Sequence, residues 1–274
     1  MGTKISLTAA DGFNLGAYRA DPQGTPKAGL VLIQEIFGVN HHIRTMCDRF
    51  ATHGYLTIAP QVFDRYRRDF ECGYSPDEIA EARKITPGID WAAMLRDVAA
   101  TIAAAKSAGP VGIVGYCMGG TVAFLAGAKL DGLASAVCYY GGMIAKNADE
   151  KPKVPTQMHL GEKDEHIPMT DVDTIRKKRP ECEVYVYPAG HGFSCDERAS
   201  FHEPSAKLAM ERTLASSSRL RATLPVASSL MFLTASPAST VTGLSGTRRT
   251  RAMHPGVCPG QCRVCTPAAI SVSS

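Results

Sequence analysis

A chain of 274 residues, 45% hydrophobic and 20% charged, has the make-up of one globular domain of the larger kind. No apolar run approaches the roughly 20 residues of a membrane span, and the opening MGTKISLTAADGF has no apolar core of a secretory leader. The net charge of +4 is uneven: six Arg and no acid lie beyond position 215, which leaves 24 basic against 26 acidic groups before it and no nucleic-acid footprint.

In chain order, short β-branched runs alternate with helical patterns. Residues 5–7 and 13–18 read as a hairpin around Asp11-Gly12, and 29–33 (GLVLI) as a buried strand. A helix over 43–52 leads to a strand over 55–59 that stops at Pro60. Ser75-Pro76 opens a helix over 77–84, and an Ala-rich helix follows over 91–105. The run 111–114 (VGIV) is a second buried strand, with a helix from 119 to about 128 behind it. Strands are expected over 134–140, 156–160 and 184–187, and helices over 169–178 and from 205. In that last helix Leu208, Ala209, Arg212 and Ala215 share one track. The pattern predicts an α/β fold, a mostly parallel twisted sheet with helices on both faces.

At about Ser216 the composition turns to Ser, Thr, Ala, Pro and Arg. Residues 1–215 are therefore expected to form the domain. Residues 216–274 are expected to be unstructured, as a low-complexity tail or as the translation of a shifted reading frame. Six of the nine cysteines are scattered singly through the first 200 residues, which suits a reducing cytoplasm better than a disulfide framework. Cys258, Cys262 and Cys265 have loose metal-ligand spacing but no suitably placed fourth ligand, so no metal is expected there.

The strongest local signal is Gly115-Tyr116-Cys117-Met118-Gly119-Gly120, between the strand VGIV and a helix. It is a nucleophile elbow with Cys in place of Ser. A nucleophile on so sharp a turn needs glycines around it, because side chains at Gly115 and Gly119 would meet neighbouring backbone. The helix N-terminus behind it favours a thiolate. A nucleophile also needs a base, and the base an orienting acid. Asp164 follows the strand 156–160, and His191 follows the strand 184–187. Both stand at the carboxyl edge where parallel sheets build their sites. His166 and His202 are weaker rivals for the base.

On these residues the chain resembles the dienelactone hydrolases (carboxymethylenebutenolidases). The resemblance rests on Gln34-Glu35-Ile36-Phe37-Gly38, the elbow, the segment 161–164 and His191-Gly192-Phe193. Tyr139-Tyr140-Gly141 and Glu211-Arg212-Thr213-Leu214 fit as well. It spans about residues 5–215. It implies an α/β-hydrolase fold with Cys117 as nucleophile, His191 as general base and Asp164 as orienting acid. Glu35 is implied to touch the resting thiol and help form the thiolate. The N–H groups of Ile36 and Met118 are implied to form the oxyanion hole, and Phe37, Tyr140 and Phe193 to contact substrate.

Well-known members carry an Arg four residues after the catalytic His, where it grips a substrate carboxylate; here that position is Cys195. Arg198 follows three residues on, and Arg65 or Arg83 could supply a further cation. The implied activity is opening of a small lactone or enol lactone, with no cofactor. A small ester or thioester substrate and an impaired homologue with a damaged C-terminus stay open as alternatives. The expected partner is the small-molecule substrate alone, with no nucleic acid or membrane, and the expected state a monomer or weak homodimer.

Overall fold

The computed structural model describes residues 2–218. Strand β1 (Thr3–Thr8) pairs antiparallel with β2 (Asn14–Ala20), from Thr3 opposite Arg19 to Thr8 opposite Asn14. Gly12 turns between them at φ +81°, with its N–H on the Ala9 carbonyl. The hairpin expected around Asp11-Gly12 forms.

The sheet continues with β3 (Ala28–Ile33), β4 (Tyr55–Pro60), β5 (Val111–Tyr116), β6 (Leu133–Tyr139), β7 (Thr156–Gly161) and β8 (Glu183–Tyr187). Its eight strands lie in the order β1-β2-β4-β3-β5-β6-β7-β8. Apart from the antiparallel β1–β2 and β2–β4 pairs, every pairing is parallel. Every residue of β3, β4 and β5 is buried, so both faces of the sheet's centre are covered, as the nearly unbroken apolar runs predict.

The helices are α1 (His41–Thr52), α2 (Pro76–Ile85), α3 (Trp91–Ala105), α4 (Met118–Lys129), α5 (Met169–Lys178) and α6 (Glu203–Ser218). Helix α1 starts two residues before the expected position because Asn40 caps it, its side chain accepting from the Ile43 N–H. Ser75 and Glu78 close a reciprocal capping box on α2, and Asp90 caps α3. Among the described residues no helix is long and apolar enough to cross a membrane.

Two expectations about α6 need correction. The helix runs through Ser216 to Ser218 instead of collapsing at Ser216. Its inner face is Ser205, Ala209, Thr213 and Ser216, while Leu208 is exposed. The reason is polar anchoring. The Thr213 hydroxyl lies 2.7 Å from the Tyr139 hydroxyl and 3.2 Å from His159 Nε2, both buried. These hydroxyl contacts, not apolar periodicity, select the face that docks. The remaining expectations for 219–274, including Cys258, Cys262 and Cys265, lie outside the described residues.

Strand order reverses beside β3: the chain leaves β3 for β4 on one side, and β5 runs on to β6 on the other. Loops leaving β3 and β5 therefore diverge above the sheet and open a crevice at their carboxyl ends. Glu35 and Cys117 stand at those two ends.

Candidate active site

Cys117 joins β5 to α4 with φ 54° and ψ −118°, a conformation that costs of order 1–3 kcal/mol for a residue with a side chain. The glycines expected around it are sterically required. A Cβ on Gly115 would overlap the Gly119 carbonyl, one on Gly119 would come 2.5 Å from the Ile33 and Gln34 carbonyl oxygens, and one on Gly120 would overlap the Tyr139 carbonyl. Main-chain bonds clamp the turn from both sides: Cys117 N–H to Tyr139 O at 3.0 Å, and Gly120 N–H to Cys117 O at 2.9 Å.

His191 Nε2 lies 3.1 Å from Cys117 Sγ, and His191 Nδ1 lies 2.8 Å from Asp164 Oδ2. Asp164 is buried, and its Oδ1 accepts the His166 N–H at 2.8 Å, which fixes the carboxylate plane. Burial pulls the His191 pKa down, but the bond to Asp164 and the neighbouring Cys117 overcome it, and the imidazole is pushed up to about 10. The structure thus brings together the three residues singled out as nucleophile, base and acid, 74 and 27 positions apart in sequence. Of the rival bases, His166 stands edge-on to the His191 ring at 5.0 Å, and His202 bonds Ser205 at the start of α6.

Glu35 is 1% exposed. Its Oε1 accepts from Arg198 Nη1 at 3.0 Å, while Oε2 is buried without a partner. The contact between Glu35 and the thiol that the resemblance implies is not formed here: the sulfur's partner is His191, and the carboxylate's is Arg198. Arg198 also lies over the rings of Phe37 and Tyr74 at 5.7 and 5.8 Å. The N–H groups of Ile36 and Met118 enter no main-chain hydrogen bond among the described residues. For Met118 that follows from its place in the first turn of α4, where an N–H has no carbonyl to reach.

Above Cys117 opens a cavity of about 490 Å³. Cys117, His191, Ile36, Phe37, Met118, Arg83 and Arg198 line it, so of the basic residues named from the sequence Arg83 and Arg198 stand at the cavity. Three other expected substrate contacts need correction. Tyr140 and Phe193 are fully buried beneath the site. The Tyr140 ring packs 5.1 Å from that of His191, its hydroxyl bonds Ser194, and Phe193 stands edge-on behind it. They hold the His191 loop and do not line the cavity. Arg65 lies elsewhere, bound to the buried Asp97 and to Asp11.

The position of Cys195 is also informative. It is fully buried, with its thiol pushed up to about 12 by burial and then by the nearby Glu35. Cys195 does not line the cavity; Arg198 does. Sequence reasoning missed the outer wall, made by Ile79, Thr86, Ile89 and Trp91 of α2, α3 and their connection, with Met143 opposite. The one available signal was the chain's single Trp, set immediately after the cap of α3.

The model of the dienelactone hydrolase family matches residues 15–217. A Synechocystis protein named "Putative carboxymethylenebutenolidase" is 35% identical over 232 residues, 76% of this chain and 94% of that protein. The carboxymethylenebutenolidase of Pseudomonas putida is 33% identical over 221 residues, 77% of this chain and 93% of its own. A crystal structure from Klebsiella pneumoniae, titled "Putative Dienelactone Hydrolase", superposes with a TM-score of 0.68 at 32% identity, covering 78% of this chain and 98% of that one.

Proposed function

The chain belongs to the dienelactone hydrolase family of carboxylic ester hydrolases, and from that membership we propose that it opens small lactones or enol lactones through a Cys117–His191–Asp164 covalent mechanism. The observation that carries this reading is the line from sulfur to imidazole to carboxylate, at 3.1 and 2.8 Å, with the sulfur and the imidazole lining the cavity.

Cys117 sulfur attacks the ring carbonyl carbon, and the carbonyl π pair moves to oxygen. Its negative charge is met by the N–H groups of Ile36, in the loop after β3, and of Met118, at the N-terminus of α4. Collapse of that intermediate breaks the ring C–O bond. The departing enolate oxygen stays tethered to the acyl group and takes its proton from His191. Neutral His191 then removes a proton from water, which attacks the thioester and releases the acid and the thiol. Asp164 keeps Nε2 of His191 facing the sulfur. Glu35 is paired with Arg198 and not with the thiol, so its part in this reading is to hold Arg198 in the wall of the cavity.

The substrate class follows from the walls. Ile36, Phe37, Ile79, Ile89 and Trp91 suit a flat, largely apolar ring, and Arg83 offers one cation at the rim. The same walls suit a small aryl ester, which is the second reading. The test is turnover of dienelactones, neutral butenolides and aryl esters by the full chain, with acid-quenched samples examined by mass spectrometry for an acyl group on Cys117. Turnover by the Cys117→Ala chain, or an acyl adduct elsewhere, would overturn the mechanism.

A further inference from the structure

The first turn of α1 meets the loop leading to Arg198 at a second cluster of ligand-bearing side chains, none of which lines the catalytic cavity. His42 is 1% exposed, yet neither of its ring nitrogens has a hydrogen-bond partner. Nδ1 does lie 3.3 Å from Asp196 Oδ1, but out of line for a hydrogen bond, so the approach does not satisfy the ring. A buried imidazole is almost always paired, and one aimed without a bond at a carboxylate calls for an explanation.

Glu197 adds a second carboxylate, and one ligand atom from each of His42, Asp196 and Glu197 lies within 4.8 Å of the others. Two neighbours complete the surroundings. His41 Nδ1 is 2.6 Å from Glu197 Oε1, and Arg49 Nη2 is 3.1 Å from Asp196 Oδ2. Arg49 thus occupies the oxygen of Asp196 that faces away from His42 and leaves the other free.

We propose that His42, Asp196 and Glu197 bind a first-row divalent cation of the zinc type, which ties α1 to the loop carrying Arg198. One imidazole with two carboxylates is a donor set for Zn²⁺, Co²⁺ or Mn²⁺, whereas Ca²⁺ and Mg²⁺ take oxygen ligands. Zn²⁺ holds N and O ligands at about 2.1 Å, which places ligand atoms of a tetrahedron roughly 3.4 Å apart. The 3.3 Å from His42 to Asp196 already has that spacing. Glu197 must swing inward by about an ångström, and its side chain is 34% exposed and free to do so. His41 or water takes the fourth position. Arg49 holds the Asp196 carboxylate in place, as outer partners of metal ligands commonly do.

No sequence signal announces this set, since His42 and Asp196 are 154 positions apart and no metal was expected from spacing. The consequence for the enzyme is local. Glu197 precedes Arg198, so a bound ion would fix the backbone from which Arg198 reaches Glu35. The proposal is independent of the reaction proposed above.

The test is Co²⁺ titration of the full chain with Cys117→Ala, Cys258→Ser, Cys262→Ser and Cys265→Ser, which removes the competing thiols at the active site and in the C-terminal segment. We expect ligand-field absorption without a thiolate charge-transfer band, displacement of Co²⁺ by Zn²⁺, and a thermal midpoint raised by Zn²⁺. Adding Asp196→Asn and Glu197→Gln should weaken Co²⁺ binding by about tenfold or more. Both side chains are partly exposed, so folding should persist; if it does not, Glu197→Gln alone provides the same comparison. No ligand-field spectrum, or one unchanged by these substitutions, overturns the site.

Discussion

Arg198 donates from Nη1 to Glu35 Oε1 at 3.0 Å, joining the loop after β3 to the loop after β8 across 163 positions of sequence. The carboxylate is buried and its guanidinium partner nearly so, with 19% of the Arg198 side chain exposed. Burial pulls the Arg198 pKa down and Glu35 pulls it up, with a net rise, so the guanidinium keeps its charge.

Removing one partner should therefore strand the other. Arg198→Met leaves the Glu35 carboxylate buried and uncompensated, and should destabilise the fold by about 3–5 kcal/mol. Adding Glu35→Gln should recover most of that loss, because the stranded charge goes with it. Urea unfolding of the two single variants and the double variant measures the coupling. Simple additivity would show that the pair contributes nothing as a pair.

Cys117 should be the first of the described cysteines to react with limiting iodoacetamide. Cys47, Cys138 and Cys195 are buried, and burial pushes the thiols of Cys72 and Cys182 up to about 11. Only Cys117 has a histidine ring nitrogen within hydrogen-bond reach among them. Peptide mapping at partial labelling reads the order, and hydrolysis should fall in step with the Cys117 label. Activity that survives complete labelling of Cys117 would refute its role.

Asp164→Asn should lower kcat by on the order of 10² to 10⁴ while leaving the unfolding midpoint nearly unchanged, because an amide can face the wrong tautomer of His191. Glu162 and Glu165 are exposed in the same loop, so their Gln variants should stay within about twofold of the starting chain. Equal damage from Glu165→Gln would reassign the acid.

Substrate charge should be read by Arg83, not by position 195. Arg83→Met should raise KM for a carboxylate-bearing lactone by about tenfold and leave neutral esters little changed, since a charged hydrogen bond contributes roughly 1.5–3 kcal/mol. Cys195→Arg would force a guanidinium into a fully buried site, and should lower stability without improving anion binding. Parallel KM measurements on an anionic and a neutral lactone decide both points.

Two histidines give the pH dependence opposite signs. The proton on folded His191 is held up to about 10, against an ordinary value near 6.5. Its stabilisation is complete below about pH 6.5 and is lost as pH rises toward 10. Burial pulls His159 down to about 3, so its contribution is complete above about pH 6.5 and is lost as pH falls toward 3, by up to roughly 1.4 kcal/mol per unit. Nitrogen-15 NMR titration should show His191 protonated past pH 8 and His159 neutral below pH 5. In Cys117→Ala the His191 value should drop, because the sulfur is one of the groups that raise it.

The elements and the meeting of Cys117, Asp164 and His191 were readable from sequence where backbone chemistry decides them. Gly115, Gly119 and Gly120 announce a turn that tolerates no Cβ, and two loops that each follow a parallel strand place Asp164 and His191 at one edge. What could not be read were features made by distant partners. Arg198 finds Glu35 only in three dimensions, and the docked face of α6 is chosen by the hydroxyl pair Tyr139–Thr213. Tyr140 and Phe193 share a motif with His191, but sequence adjacency does not say whether a ring lies above or below the imidazole.

The elbow carries a consequence for heredity. Its backbone is shaped by carbonyl contacts to Gly115, Gly119 and Gly120 and by main-chain bonds at Tyr139, none of which involves the side chain at 117. The scaffold therefore specifies where a nucleophile stands and leaves open whether sulfur or oxygen stands there. A single base change in a Cys codon can exchange one for the other without disturbing the turn. Lineages built on this loop can thus move between thiol and alcohol chemistry while the surrounding groups adapt afterwards.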